Sequence, residues 1–309
     1  GVEYMEGQEI KINFFYRKEN KTAQHWADKI KRHIKKKYPL ASFVDKNPDV
    51  LIVLGGDGAI LSAARMHHHS STPRLLGESR FATTAESNRS KDAGFNPMIF
   101  GLNLGNVGFL ASVRESQNFI KSVSQFLDGR FSLSERIILD AEVLRDGEKV
   151  FNAEVLNEIV AQSILGMVDL EVLVGNTGIR KIKGSGVIVA TATGSTAFNL
   201  SAHGPIVMPD IKCLIITEIM DHNVPTPSIV VKHNEEIIIK IDNFRQKGIL
   251  FVSESKKAAD VVLVADGDKI FPLQKGDIIK IKSSDHLVRF IEVEPNYFFK
   301  SLKDKFSVR

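Results

Sequence analysis

Asp49-Val50-Leu51-Ile52-Val53-Leu54-Gly55-Gly56-Asp57-Gly58 runs from an apolar stretch straight into Gly-Gly-Asp-Gly, and Ile60, Leu61, Ala63, Ala64 and Met66 then follow at helical spacing. A buried strand that breaks into glycines and opens a helix is a natural place to hold phosphate. Glycines let the backbone come close to the oxygens, and the amides at the helix start point at the negative charge. Asp-Gly is also a common hairpin turn. Here, however, no alternating second arm follows it. The carboxylate of Asp57 would be repelled by phosphate unless it takes a proton or steers a metal, and that tension points toward phosphoryl transfer.

Outward from this loop, residues 10–16 read as a first strand and Trp26–Lys37 as a helix with Trp26, Ile30 and Ile34 four apart. Met98–Asn103 reads as a further strand leading into a second glycine-bearing loop. Strand, helix, strand, helix, strand is the pattern of a parallel sheet wrapped by helices, in which ligands bind beyond the carboxyl ends of the strands. A polar insert, His67–Asn96, interrupts it. A loop this long inside a domain is usually functional or disordered. His67-His68-His69 is set aside as a metal site, because adjacent residues on a helix point in different directions.

After Gly129 the texture changes. Val113–Leu127 has helical spacing, but from there strand-like runs dominate: Ile137–Leu144, Lys149–Val160, Asp169–Val174, Gly186–Ala190, Ser228–Val231, Glu236–Ile241, Ile249–Val252, Val261–Ala265 and Asp277–Ile281. The expected fold class is an α/β nucleotide-binding domain plus a second, mostly β domain. The boundaries fall at residues 1–132 and 133–286, with the helical-looking 287–309 returning to the first domain.

The chain has 309 residues, 43% of them hydrophobic, with 41 basic and 37 acidic side chains. The net charge of +4 is too mild to name a polyanionic partner. The lysine cluster at residues 29–37 reads as the wet face of the Trp26–Lys37 helix, so no nucleic-acid partner is expected. The single cysteine, Cys213, sits in an apolar run and reads as core. It allows no internal disulfide and suits a reducing cytoplasm. No apolar run has the length of a membrane span, so no membrane partner is expected.

Three further boxes carry chemistry. Gly101-Leu102-Asn103-Leu104-Gly105-Asn106-Val107-Gly108-Phe109-Leu110 follows a strand. Leu156-Asn157-Glu158 ends another, with donors and acceptors suited to ribose hydroxyls. Gly184-Ser185-Gly186-Val187-Ile188-Val189-Ala190-Thr191-Ala192-Thr193-Gly194-Ser195-Thr196-Ala197-Phe198 runs from a buried strand into small hydroxyl residues, with a helix-like segment from Ser195. Read alone, the last box fits either a ligand cradle or a Ser/Thr-rich helix cap.

In order and spacing these four boxes resemble the NAD kinase family, over roughly residues 48–306 apart from the insert. Glu135-Arg136 before a strand and Asp266-Gly267 after one are further family-like marks, although Asp266-Gly267 also reads as a plain hairpin turn. The resemblance implies transfer of the terminal phosphoryl group of ATP, or of polyphosphate, to the adenosine ribose 2′-hydroxyl of NAD, giving NADP. It implies Mg²⁺ or another divalent cation, and a site between the two domains often completed by a neighbouring subunit, hence a homo-oligomer.

Carried over residue by residue, the resemblance makes Asp57 the base and lets phosphates approach over Gly55, Gly56 and Gly58. Asn103 and Gly105 line the floor of the cleft, and Asn157 and Glu158 orient the dinucleotide. Thr196 and Ala197 contact it, Gly194 and Ser195 shape the turn, and Ser185 and Phe198 stand at nucleotide-contacting positions. Ser185 replaces the usual Asp and Phe198 the usual Tyr. Ala192 replaces Pro, Ala59 Thr and His203 Gly. These departures keep a non-catalytic dinucleotide sensor open, and the Gly-Gly-Asp-Gly loop alone would also fit a lipid kinase.

Overall fold

The computed structural model describes residues 9–67, 81–83, 97–106, 108–222, 226–245, 250–252 and 257–307. The chain divides into two compact units, Gly1–Glu135 with Val288–Arg309, and Arg136–Leu287.

In the first unit β1 (Ile10–Arg17), α1 (Lys21–Lys37), β2 (Ala41–Phe43), β3 (Val50–Leu54), α2 (Asp57–His67), β4 (Phe81–Thr83), β5 (Met98–Leu102) and α3 (Phe119–Leu127) follow in order. β2, β1, β3 and β5 pair side by side, all parallel. All five β3 side chains are buried, as a central parallel strand covered on both faces demands. The Asn20 side chain accepts from the Ala23 amide at 3.0 Å and caps α1. Its last turn carries Lys35, Lys36 and Lys37, the sign the helix dipole favours there. Ala23, Ala27, Ile30 and Ile34 are its buried stripe, whereas Trp26 lies at the edge, its ring 5.1 Å from that of Phe119. β4 falls inside the polar insert and pairs antiparallel with the end of β1. Residues 68–80 and 84–96, including His68 and His69, and the His67 side chain lie outside what is described.

The second unit is built from β6 (Ser132–Arg145), β7 (Glu148–Val155), β8 (Glu158–Ser163), β9 (Val168–Val174), β10 (Thr177–Gly184), β11 (Gly186–Thr191), the single-turn α4 (Phe198–Ser201), β12 (Cys213–Ile219), β13 (Ile229–Lys232) and β14 (Ile237–Phe244). β15 (Leu250–Val252), β16 (Lys257–Ala259), β17 (Val261–Ala265), β18 (Lys269–Pro272) and β19 (Ile278–Glu292) complete it. One antiparallel layer orders β13-β12-β11-β8-β17-β18, and the other contains β10-β9-β14-β19 with the β6–β7 hairpin. Alternate residues of both meet in one core, with Leu170, Val172, Ile237 and Ile239 on one side and Ile159, Val189, Leu214 and Leu263 on the other. The opposite face of the first layer is also buried, with Ile188, Ala190, Cys213 and Ile215 packed under Ala202 and Val207. Cys213 therefore lies in core, and burial pushes its thiol pKa up. β19 ends beside β5, Phe290 opposite Ile99, and α5 (Tyr297–Phe306) follows in the first unit.

Two expectations need correction. The 149–160 run is two strands, because the chain breaks at Leu156-Asn157. The segment from Ser195 is not a sustained helix: a 3₁₀ turn at Thr193–Thr196 meets α4 at Ala197, whose φ −99° and ψ −128° leave the helical region.

The second unit also buries an ion pair. Asp277 is fully buried, and its carboxylate accepts Arg145 Nε at 2.8 Å and Nη2 at 2.7 Å, together with the Gln274 amide at 2.7 Å. Asp277→Ala would leave the partly exposed guanidinium with the Pro272 carbonyl alone as acceptor, and a loss of about 2–4 kcal/mol in urea denaturation is expected.

Candidate active site

The Gly-Gly-Asp-Gly loop leaves β3 and enters α2 with Asp57 as the first helical residue. Backbone bonds from Gly55 N to Leu102 O (3.1 Å) and from Leu104 N to Gly55 O (3.3 Å) seat it against the loop after β5. The Asp57 carboxylate accepts one amide on each oxygen, Phe109 N at 2.7 Å and Leu110 N at 3.1 Å. A carboxylate oxygen has two lone pairs, so one on each remains for a proton or a cation. Burial raises the Asp57 pKa from its ordinary value, although the two amides and the charge of Lys305 pull it back.

The glycines around Asp57 fall into two kinds. A Cβ on Gly108 would lie 2.2 Å from Asp57 Oδ1, and one on Gly55 2.7 Å from the Ala59 Cβ, so packing demands both. A Cβ on Gly56 or Gly58 would meet nothing within 4 Å, and neither residue has a positive φ. Neither packing nor conformation explains those two glycines. The space above them is open to a ligand that needs the bare backbone. Asn103 is buried and spends its side chain locally, accepting from Gly105 N at 2.8 Å and donating to Asn106 O at 2.9 Å. It shapes the loop at whose exposed bend Gly105 sits, with Gly105 beside Gly56.

The second cluster belongs to the second unit. Asp266 grips three consecutive amides: Oδ2 accepts Leu156 N at 2.9 Å, and Oδ1 accepts Asn157 N at 2.8 Å and Glu158 N at 3.2 Å. Thr191 ties the next loop to the same segment, its hydroxyl donating to Leu156 O at 2.6 Å and accepting from Gly194 N at 3.0 Å. Gly194 is pressed so closely on Asn157 that a Cβ would lie 2.2 Å from its carbonyl oxygen. Glu158 is only 6% exposed, and among the described residues its Oε2 has no hydrogen-bond partner. Burial first, then the charge of Asp266, push its pKa up to about 8, against a lowering bond from the Phe198 amide.

The structure thus brings Asn157, Glu158, Gly194 and Phe198 together. Ser195 is fully buried, exchanging hydrogen bonds with the Val207 backbone, and Thr196 donates to Thr193 O at 3.3 Å. Ala197 and Phe198 stand nearer the surface. Ser185 is placed apart, at the opposite end of β11 from Thr191, bonded through its backbone to Ile219 and Ser163. At ~3.3 Å per residue the length of β11 separates it from the box by roughly 20 Å. Among the described residues no group of three or more His, Cys, Asp or Glu side chains is placed to hold a metal. No helix there is long and apolar enough to cross a membrane.

Three residues that build these sites had no role assigned from the sequence. Gly108 stands inside a motif whose other members drew attention. Asn199, fully buried, accepts from Thr217 Oγ1 at 2.7 Å and donates to Pro205 O at 3.1 Å, which folds the chain after the box. Asp266, read as a hairpin turn, does make that turn, with φ 49° followed by 66° at Gly267, and holds the 156–158 segment as well.

The profile of the ATP-NAD kinase C-terminal domain family matches residues 156–293. The chain is 33% identical over 259 residues to the NAD kinase of Syntrophotalea carbinolica, covering 83% of this chain and 77% of that one. It is 32% identical to the NAD kinase of Symbiobacterium thermophilum, covering 84% and 78%. Among solved structures, yeast NADH kinase complexed with NADH superposes with a TM-score of 0.75 at 18% identity, covering 98% of this chain and 88% of that one. An NAD kinase from Archaeoglobus fulgidus in complex with ATP gives 0.65 at 21% identity, covering 97% and 99%. Both likenesses concern the fold.

The Glu158 environment sets a pH dependence. A carboxyl whose pKa is raised by folding, here from 4.5 to about 8, contributes stability that is fully present below about pH 4.5. That contribution is lost as the pH climbs to about 8. Glu158→Gln should remove this loss. Chemical denaturation at pH 5 and pH 9 should show the variant gaining on the wild type at the higher pH, by at most a few kcal/mol, on the order of 1.4 per pKa unit.

Proposed function

The chain belongs to the NAD kinase family, and from that membership we propose that it transfers the terminal phosphoryl group of ATP to the adenosine ribose 2′-hydroxyl of NAD, giving NADP. The observation that carries the reading is the Asp57 carboxylate, half-buried, aimed by two amides and flanked by Gly56 and Gly58, where the space a side chain would take is open. A ribose hydroxyl is a poor nucleophile at neutral pH and needs a base in contact with it. Asp57 takes the hydroxyl proton, the oxygen bonds to the terminal phosphorus, and the bond to the leaving diphosphate breaks in line. Burial of Asp57 supports that duty, because it makes the carboxylate a stronger proton acceptor than one in water.

Gly56 and Gly58 admit the donor phosphates to the N-terminal turn of α2, where the first amides lack intrahelical acceptors. Asn157 and the buried, unpartnered oxygen of Glu158 orient the dinucleotide, with Thr196, Ala197 and Phe198 beside them. A divalent cation would offset the phosphate charge. The outer lone pairs of Asp57 fit it, because Mg²⁺ is commonly held by one or two carboxylates together with substrate phosphates. Ser185, set apart from the box, would serve a second copy of the chain in a homo-oligomer. ATP is favoured over polyphosphate as donor by the description of the matching family. A donor series in a coupled NADP assay, at fixed NAD, tests that choice, and faster turnover with polyphosphate would reverse it.

Asp57→Asn places an amide NH₂ against a backbone N–H, a local cost of about 1–3 kcal/mol. It also removes the base, so NADP formation should fall by roughly 10²–10⁴-fold with the fold retained by circular dichroism. Near-normal turnover would take Asp57 out of the chemistry. Gly56→Ala should leave the melting temperature unchanged, since its methyl enters open space, yet lower kcat/KM for ATP about tenfold or more.

A further inference from the structure

The carboxylate of Asp266 does more than a hairpin turn requires. The turn itself needs only two residues tolerant of positive φ, and Asn or Gly would serve at position 266. Asp266 is instead a buried acid, 8% exposed, whose two oxygens collect the amides of Leu156, Asn157 and Glu158 within 3.2 Å. Its own amide donates to Glu158 O at 3.0 Å, closing the contact from both directions. Three amides converging on one anion are charge-assisted bonds, stronger than neutral ones. They stand where the chain breaks between β7 and β8, next to the first rung of the β8–β11 ladder at Glu158 and Ala190.

We propose that Asp266 is a positioning residue for the dinucleotide: by holding three successive peptide planes it sets where the Asn157 and Glu158 side chains meet the acceptor. This rests on the reading that those two residues bind NAD. The charge of Asp266 also acts on Glu158, as one of the two causes that keep the Glu158 carboxyl protonated to higher pH. The same side chain, more than a hundred residues away in sequence, therefore holds the geometry of the acceptor site and adds to the effect of burial on its ionisation.

The test compares wild type with Asp266→Gly and Asp266→Asn, both of which keep a left-handed turn. In Asp266→Gly all three bonds are lost. KM for NAD should rise about tenfold or more while kcat and KM for ATP change little. Amide hydrogen exchange at residues 156–158 should accelerate, with melting still cooperative. In Asp266→Asn the negative charge is gone, and the pH at which KM for NAD changes should move to lower values. A purely structural turn predicts the opposite: both variants match wild type in KM and in pH profile, and that result overturns the proposal. Unchanged exchange at 156–158 in Asp266→Gly overturns it equally, and needs no turnover to be measured. Absence of NADP formation in the wild type would instead sink the functional reading, leaving the exchange comparison to decide the role of Asp266 as a clamp.

Discussion

A carboxylate that accepts backbone amides is the interaction on which both functional clusters depend. The loops at the ends of β3, β5 and β7 leave the sheet ladders, and their amides need other acceptors. Asp57 supplies one for Phe109 and Leu110, and Asp266 for Leu156, Asn157 and Glu158. Each aspartate pins an otherwise irregular segment to a regular element, α2 in one unit and the β17–β18 hairpin in the other. The functional side chains are thereby carried on backbone that has few ways to move, which is what precise placement of a substrate requires.

Burial and hydrogen bonding compete at each acid, and the winner differs in consequence. At Asp57 desolvation outweighs two amide bonds and a lysine, so the group remains an acid whose charge is costly but supported. Glu158 has one amide, from Phe198, against burial and a neighbouring negative charge, and it stays protonated up to about pH 8. A neutral carboxyl can donate a hydrogen bond as well as accept one, and Oε2 of Glu158 has no hydrogen-bond partner among the described residues. The two acids of the same chemical type are thus prepared for different work by their surroundings.

The glycine boxes show where sequence reading stops. All of Gly55, Gly56, Gly58, Gly108 and Gly194 are legible as punctuation at strand ends. Only contacts separate those that packing forces from those that leave room: Gly108 lies under the Asp57 carboxylate and Gly194 on the Asn157 carbonyl, while Gly56 and Gly58 face open space. The box after β11 was legible as a turn of small and hydroxyl residues, open between a cradle and a helix cap, but not in shape. Its helix shrinks to one turn because Ala197 leaves the helical region, and the hydroxyls of Thr191, Ser195 and Thr196 are spent on the backbone.

Local pattern alone determined the division into a parallel α/β part and a strand-rich part, the buried β3, the solvated lysine face of α1, the core position of Cys213 and the four ordered boxes that mark the family. These depend on periodicity and on the conformational preferences of neighbouring residues, which a linear reading contains. Tertiary structure alone decided which acid meets which amide, that Ser185 stands a strand's length from the residues it was grouped with, and how far Glu158 is pushed from its ordinary pKa. Such facts depend on partners far apart in the chain, 110 residues for Asp266 and Leu156, and on water excluded by groups that no stretch of neighbouring residues names.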